Sequence, residues 1–199
     1  MADSSGRGAG KHGLDVDAHG NVYVVGFTSS TYFPTTAGAL QAAYAGGRTG
    51  TWEQTGDRFI AKLSPDGKRL LASTYLGGNA RDGGEGIAVD RHGQVYVSGF
   101  TFSTNFPVSA NAMQARCAGV PDGTLFVLSA DFSRAVLSSY LGGRGRENFR
   151  AIALCPDGGF VIVGETGSAD WPVLNALQPR SRGGGDDAMV LKFVPAGLK

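Results

Sequence analysis

Cysteine, histidine and long apolar runs are scarce in this sequence. Two cysteines and three histidines among 199 residues cannot staple a small scaffold with several disulfides, and His12, His19 and His92 do not stand at metal-ligand spacing. Cys117 falls in an expected loop and Cys155 in an expected strand, and neither signals a disulfide. No apolar run approaches the roughly 20 residues that span a bilayer as a helix, so no membrane insertion is expected. The start, MADSSGRGAGKHG, lacks an apolar h-region, and the expectation is no signal peptide of its own. An excess of charge is also missing: 18 basic and 17 acidic residues give a formal net charge of +1, and nothing asks for a nucleic acid partner. There is no G-x-S-x-G and no Cys beside a local base, which leaves no nucleophile. Gly183 to Gly185 before Asp186 lack the Lys-Ser/Thr that a phosphate loop needs.

Glycine, by contrast, is abundant: 32 residues, roughly twice the usual share and without a G-x-y period, so many short turns are implied and collagen is excluded. A repeated unit holds much of it. GLDVDAHGNVYVVG (Gly13 to Gly26), GIAVDRHGQVYVSG (Gly86 to Gly99) and AIALCPDGGFVIVG (Ala151 to Gly164) share one plan. Each has an alternating apolar run, a polar turn ending in glycine (Gly20, Gly93, Gly158), a second alternating run and a closing glycine. Period-two alternation around a glycine able to take φ > 0 predicts a β-hairpin. Three such hairpins make a repeat.

Residues 1–12 are polar and read as tail or loop. From there three cycles follow, about 13–78, 79–143 and 144–199, each a hairpin, a long connection and a second hairpin. Gly26, Gly99 and Gly164 are 73 and 65 residues apart, as are Phe33, Phe106 and Trp171, which precede Pro34, Pro107 and Pro172. Tyr75 and Tyr140, each in a Tyr-Leu-Gly-Gly, are also 65 apart. The longer first cycle carries its extra residues in the connection around 46–56, which leaves strand pairing intact. Within that connection Ala39 to Tyr44 is expected to make one or two helical turns. The stretches NARDGGEG and RGRENFR read as loops ahead of the first strands.

Eleven strands result, because VPAGLK ends the third cycle in the turn before its fourth strand. A serially repeated four-stranded antiparallel sheet is a propeller blade. The expected fold is therefore all-β, with three four-stranded antiparallel blades of which the last is incomplete. Closed propellers hold about four to eight blades. Three leave two apolar faces open, and the expectation is a partial propeller or half of a six-bladed assembly completed by a homodimer.

The recurrent residues resemble the SBBP family of β-propeller repeats. Its pattern of YLGG, Asp, IAVDxxGxVYVSGxTxSxxFP, a Gly-rich connection, DxFxxKLSPDG and STYLGG is matched at Tyr75 to Gly78, Asp82, Ile87 to Asp90, Gly93, Val95 to Gly99, Thr101, Ser103, Phe106 and Pro107. The later part is matched at Asp57, Phe59, Lys62 to Gly67 and Ser73 to Gly78. The third cycle departs from it at Ala153-Leu154-Cys155-Pro156 and at Trp171. The resemblance implies a repeat of large bacterial proteins, many exported or displayed at the surface, without a shared catalytic constellation.

Among the recurrent acids, Asp57 and Asp187 stand two residues before a third-strand apolar position and Asp82 five before a first strand. A carboxylate there closes a turn by accepting backbone N–H groups. Calcium is the rival reading, since Asp carboxylates and carbonyls are its ligands, although no D-x-D-x-D-G run is present; no other cofactor is expected. Asp17 and Asp90 belong to hairpin turns. Tyr23, Tyr96 and Val161, like Phe33, Phe106 and Trp171, are expected to pack between blades. Tyr32, Tyr44 and Trp52 lie in variable connections and are the candidates for stacking on a ligand.

The leading reading is a non-catalytic scaffold or adhesion module whose long connections face a protein or glycan. The alternative is a glycan hydrolase domain drawing acids such as Asp82, Glu85 and Glu147 from several blades.

Overall fold

Alternating apolar residues pair into sheets wherever a turn lets the chain fold back, and the glycine-ended turns do so here. Gly20, Gly93 and Gly158 take φ of 78°, 79° and 82°, a region that a side chain reaches only at a cost. Asp17 and Asp90 brace the first two turns. Asp17 Oδ1 accepts the N–H groups of His19 and Asn21, and Asp90 Oδ1 those of His92 and Gln94. In the third turn, where Cys155 replaces the acid, Asp157 Oδ1 accepts from Gly159 instead.

The computed structural model describes residues 13–46, 56–180 and 184–194. Its first antiparallel sheet runs β1 (Gly13–Val16), β2 (Val22–Thr28), β3 (Asp57–Leu63), β4 (Leu70–Leu76). The second runs β5 (Asp82–Val89), β6 (Val95–Thr101), β7 (Asp122–Leu128), β8 (Ala135–Leu141). The third has β9 (Glu147–Leu154), β10 (Phe160–Thr166) and β11 (Asp187–Phe193) in spatial order. The protein is all-β, with sheets of four, four and three strands that correspond to successive propeller blades, and no helix occurs among the described residues.

Three local expectations are corrected. Ala39 to Tyr44 is not helical, because its backbone bonds to β4 and to the β7–β8 turn of the next blade. Leu40 donates to Phe132 O at 2.8 Å, Gln41 to Thr74 Oγ1 at 3.0 Å, and Gln41 O accepts from Tyr75 at 3.0 Å. The segment thus covers the outer edge of β4, as Ser109 to Gln114 covers β8, and an edge strand is shielded from other chains. The glycine-rich DGGEG and the matching ENFR are strand, not loop: β5 and β9 begin at Asp82 and Glu147. They pair through a bulge at Glu85 in β5 and at Arg150 in β9. Cys155 lies just beyond β9 in the turn, and it and Cys117 are free thiols.

Two apolar cores lie between the blades. The first joins Tyr23, Val25 and Ile60 to Ile87, Val95, Val97, Phe126 and Phe132. The second joins Ala88, Leu125 and Val127 to Phe149, Ile152, Ile162 and Met189. The second-strand aromatics bridge blades as expected, Tyr23 to Phe132 at 6.5 Å and Tyr96 to Phe160 at 5.5 Å between centroids. The Phe-Pro aromatics dock first on their own blade. Tyr75 Oη accepts the Phe33 N–H at 2.9 Å and donates to Ser30 O, and Tyr140 repeats this with Phe106 and Ser103. Ser73 and Ser138 hydroxyls bond the Pro34 and Pro107 carbonyls. Trp171 meets Phe149 edge-on, 6.3 Å between centroids.

Candidate functional site

At the end of the blades where the long connections run, the first residue of each third strand meets the first residue of the next blade. Antiparallel pairing places them there: Asp57 opposes Thr28 across β2–β3, and Asp82 opposes Thr101 across β5–β6. Each blade junction thereby gathers two carboxylates, Asp57 with Asp82 and Asp122 with Glu147, all four fully buried.

The surroundings repeat residue for residue. Gln41 donates from Nε2 to Asp57 Oδ2 at 3.2 Å and accepts the Gly77 N–H at Oε1, 3.0 Å. Gln114 does the same for Asp122 and Gly142 at 3.2 and 2.9 Å. Asp82 receives Thr101 Oγ1, Ser103 Oγ and the Gly78 N–H. Glu147 receives Thr166 Oγ1, Ser168 Oγ and the Gly143 N–H. The carboxylates thus serve as polar latches between blades, each half supplied by a different blade.

Gly77 and Gly142 keep the latches open. A Cβ on Gly77 would lie 2.6 Å from Asp57 Oδ1 and 2.7 Å from Asp82 Oδ2, and one on Gly142 would lie 2.5 Å from both Asp122 Oδ1 and Glu147 Oε2. Burial raises the pKa of Asp57 to about 7, with the Asp82 charge adding to the rise and the Ala45 N–H opposing it. Burial lifts Asp82 to about 6, against the hydrogen bonds of Thr101 and Gly78 and the charge of Arg58. Asp122 and Glu147 are also raised, chiefly by burial.

The two latches differ at the first carboxylate of each. Asp122 Oδ1 accepts the Gly119 N–H at 2.9 Å. At the equivalent place the Gly46 N–H faces Asp57 closely enough to lower its pKa but does not complete a hydrogen bond, and Oδ1 is left without a partner.

Of the other acids considered, Glu85 is held by Arg150, whose Nη1 lies 2.9 Å from both its carboxylate oxygens, and Glu165 takes Arg150 Nη2 at 2.6 Å. Asp187 opens β11 half-buried. Among the described residues no group of three or more His, Cys, Asp or Glu is placed to share a metal ion. The stacking candidates are separated. Tyr32 is 92% exposed. Tyr44 turns inward, edge-on to Tyr75 at 6.0 Å, and accepts the Gly56 N–H at Oη. Trp52 lies outside the described residues.

At the opposite end, the hairpin turns of β5–β6 and β9–β10 border a groove of about 480 Å³. Tyr96, Arg91, His92, Leu154, Cys155 and Pro156 line it. This concavity lies away from the long connections that the sequence favoured. Sequence reasoning also missed the glutamines. Gln41, Gln114 and Gln178 recur two residues after Ala39, Ala112 and Ala176, a signal hidden in a connection read as variable.

No curated protein matches the chain. A family model does match one stretch: residues 73–107, which run from β4 through the Asp82 latch to Phe106-Pro107, are similar to the SBBP beta-propeller repeat.

Proposed function

We propose that the chain is a non-catalytic binding or scaffold module, part of an exported or surface-displayed bacterial protein that recognises a protein or glycan. The observation that carries this reading is the use of the acids. Asp57, Asp82, Asp122 and Glu147 are buried and hydrogen-bonded within the junctions, whereas a glycosidase needs its carboxyl pair open to a sugar. Among the described residues the surface offers a groove beside Tyr96 at the hairpin end and, at the opposite end, the exposed Tyr32, either of which suits recognition.

Scaffolding extends to the two end faces. Leu14 and Val16 of β1 are 65% and 48% exposed, and Val163 and Val190 of β10 and β11 are 40% and 71% exposed. Their equivalents Ile87 and Leu125 are buried against a neighbouring blade. We read these faces as seats for further blades, from a second copy or from a longer chain.

The test is a glycan array and a panel of purified matrix proteins probed with the whole chain and with Tyr32→Ser and His92→Ala. Saturable binding that one of these surface changes abolishes supports the reading. Turnover of aryl glycosides, lost in Asp57→Asn or Glu147→Gln, would replace it with the hydrolase.

A further inference from the structure

The first latch holds an oxygen with no partner, and its surroundings are those of a cation seat. Asp57 is fully buried, and its Oδ1 accepts no hydrogen bond. It points to the space above Gly77, where Asp82 Oδ2 also points. The two distances from the Gly77 Cβ position place these oxygens less than about 5.5 Å apart. Oxygens that share one calcium ion at about 2.3–2.6 Å each lie within roughly 5 Å of one another. The Tyr44 Oη is on the same side: a Cβ built on Gly46 would lie 2.7 Å from Asp57 Oδ1 and 2.9 Å from Tyr44 Oη.

We propose that the Asp57–Asp82 latch binds one hard, oxygen-seeking cation, with calcium as the divalent example, seated over Gly77 and ligated by Asp57 Oδ1 and Asp82 Oδ2.

Two observations favour a cation here over the second latch, and two more concern the first latch itself. Asp122 Oδ1 is already capped by the Gly119 N–H at 2.9 Å, so that site has no orphaned oxygen. The position of Tyr44 is taken there by Cys117, whose Sγ bonds the Gly119 carbonyl, and a thiol is a poor ligand for a hard cation. The buried Arg58 makes no hydrogen bond to either carboxylate, since its Nη2 is bound to Gly83 O and Thr124 Oγ1 and its charge reaches Asp82 only through space. Burial raises both carboxyls, and the charge of Asp82 adds to the rise of Asp57; a cation between them offsets both effects. The seat joins β3 of one blade to β5 of the next, so occupancy would tighten a blade junction and is separate from recognition at the groove.

The experiment uses the whole chain stripped with EDTA, titrated calorimetrically with calcium chloride and followed by thermal unfolding. The expected result is one equivalent bound per chain and a melting temperature that rises with calcium. Both effects should be lost in Asp57→Asn and kept in Asp122→Asn. Terbium offers a second reading on the unaltered chain, with tyrosine-sensitised emission displaced by calcium and weakened in Tyr44→Phe. Absence of binding by calcium, magnesium and sodium in the unaltered chain would overturn the proposal. So would binding that survives in a folded Asp57→Asn, which would mark a surface site. Because the readout is metal and stability, its failure leaves the groove reading untouched, and the reverse also holds.

Discussion

Glu85 and Arg150 stand at the same place in successive repeats, 65 residues apart in sequence, and pair with each other across the blade junction. Each is the residue that a β-bulge forces out of the first-strand ladder, and Arg150 Nη1 lies 2.9 Å from both oxygens of Glu85. Opposite charges at one repeat position record the order of the blades, since two copies of either would repel. Glu85→Arg is expected to destabilise the fold by roughly 1–3 kcal/mol, between the values for exposed and buried pairs. The double swap Glu85→Arg with Arg150→Glu is expected to recover most of that. Urea unfolding of the three variants checks it, and a double variant no better than the single one would show that the pairing is incidental.

Size is exchanged at the same junctions. Arg58 of β3 runs beneath Gly84 of the next blade, where a Cβ would lie 3.0 Å from Arg58 Cγ and 2.2 Å from Val25 Cγ2. One junction later the large residue sits on the other side, with Phe149 against Gly123 and 2.5 Å between its ring and the Cβ position. Gly123→Ala is therefore expected to cost about 1–3 kcal/mol as overpacking. Phe149→Leu in the same chain should relieve part of it. Melting temperatures of the single and double variants measure the coupling, and strict additivity would argue against a shared contact.

Phe132 holds φ at 61°, a conformation that Gly67 supplies at the equivalent turn of the first blade with φ 69°. A left-handed residue with a side chain costs about 1–2 kcal/mol, while removing a buried phenylalanine costs about 3–5 kcal/mol. Packing against Tyr23 should win. Phe132→Gly is expected to lose roughly 2–3 kcal/mol net, which calorimetry would register as a drop of several degrees. A gain in stability would mean that the strain outweighs the contact.

Gln114 ties Asp122 Oδ2 to the Gly142 N–H. Gln114→Ala leaves that N–H without its partner, at about 1–3 kcal/mol. Amide exchange should speed up at Gly142 and the end of β8 first, and an effect spread evenly over all blades would count against a local latch.

The pH response follows from two sets of acids in calcium-free buffer. Asp57 and Asp82, raised by burial to about 7 and about 6 from 3.8, bind more protons folded than unfolded. They weaken the fold progressively as pH rises from about 4, and the penalty is complete above about 7. Asp17 is lowered to about 2 because its hydrogen bonds from Asn21, His19 and Tyr23 together overcome desolvation. Asp131 reaches about 2 through Ser129 and Ser133. Their support is present above about 4 and is lost as pH falls through about 2. The melting temperature should peak between about pH 4 and 6 and decline by pH 8. A flat profile from 5 to 8 would contradict the raised values.

The hairpins were legible because the physics that makes them is local. Gly20, Gly93 and Gly158 signal the turn, and alternation in runs such as Val95 to Gly99 signals the strand. Asp57 and Asp82 were legible as recurrent acids, but their meeting was not, since it depends on a junction between residues 25 positions apart in different sheets. Ala39 to Tyr44 misled because helix propensity is weaker than the offer of partners along an open strand edge. The glycines of DGGEG misled for a different reason. They read as flexible, yet Gly83 and Gly84 are small because Phe100, Val25 and Arg58 fill the space a side chain would take. The glutamines went unread because their recurrence lies in connections whose lengths differ between the repeats.

Every sheet here is drawn from one contiguous stretch of chain, and each latch takes half its atoms from the blade before and half from the blade after. A stretch of gene cut between β4 and β5 therefore carries both a finished sheet and the two half-latches at its borders. Duplicating such a stretch adds a blade whose junctions are compatible at once with its neighbours. The later exchanges of Glu85 for Arg150 and of Gly84 for Phe149 would then make each copy particular to its place, so that an array able to lengthen by simple copying also acquires a fixed order.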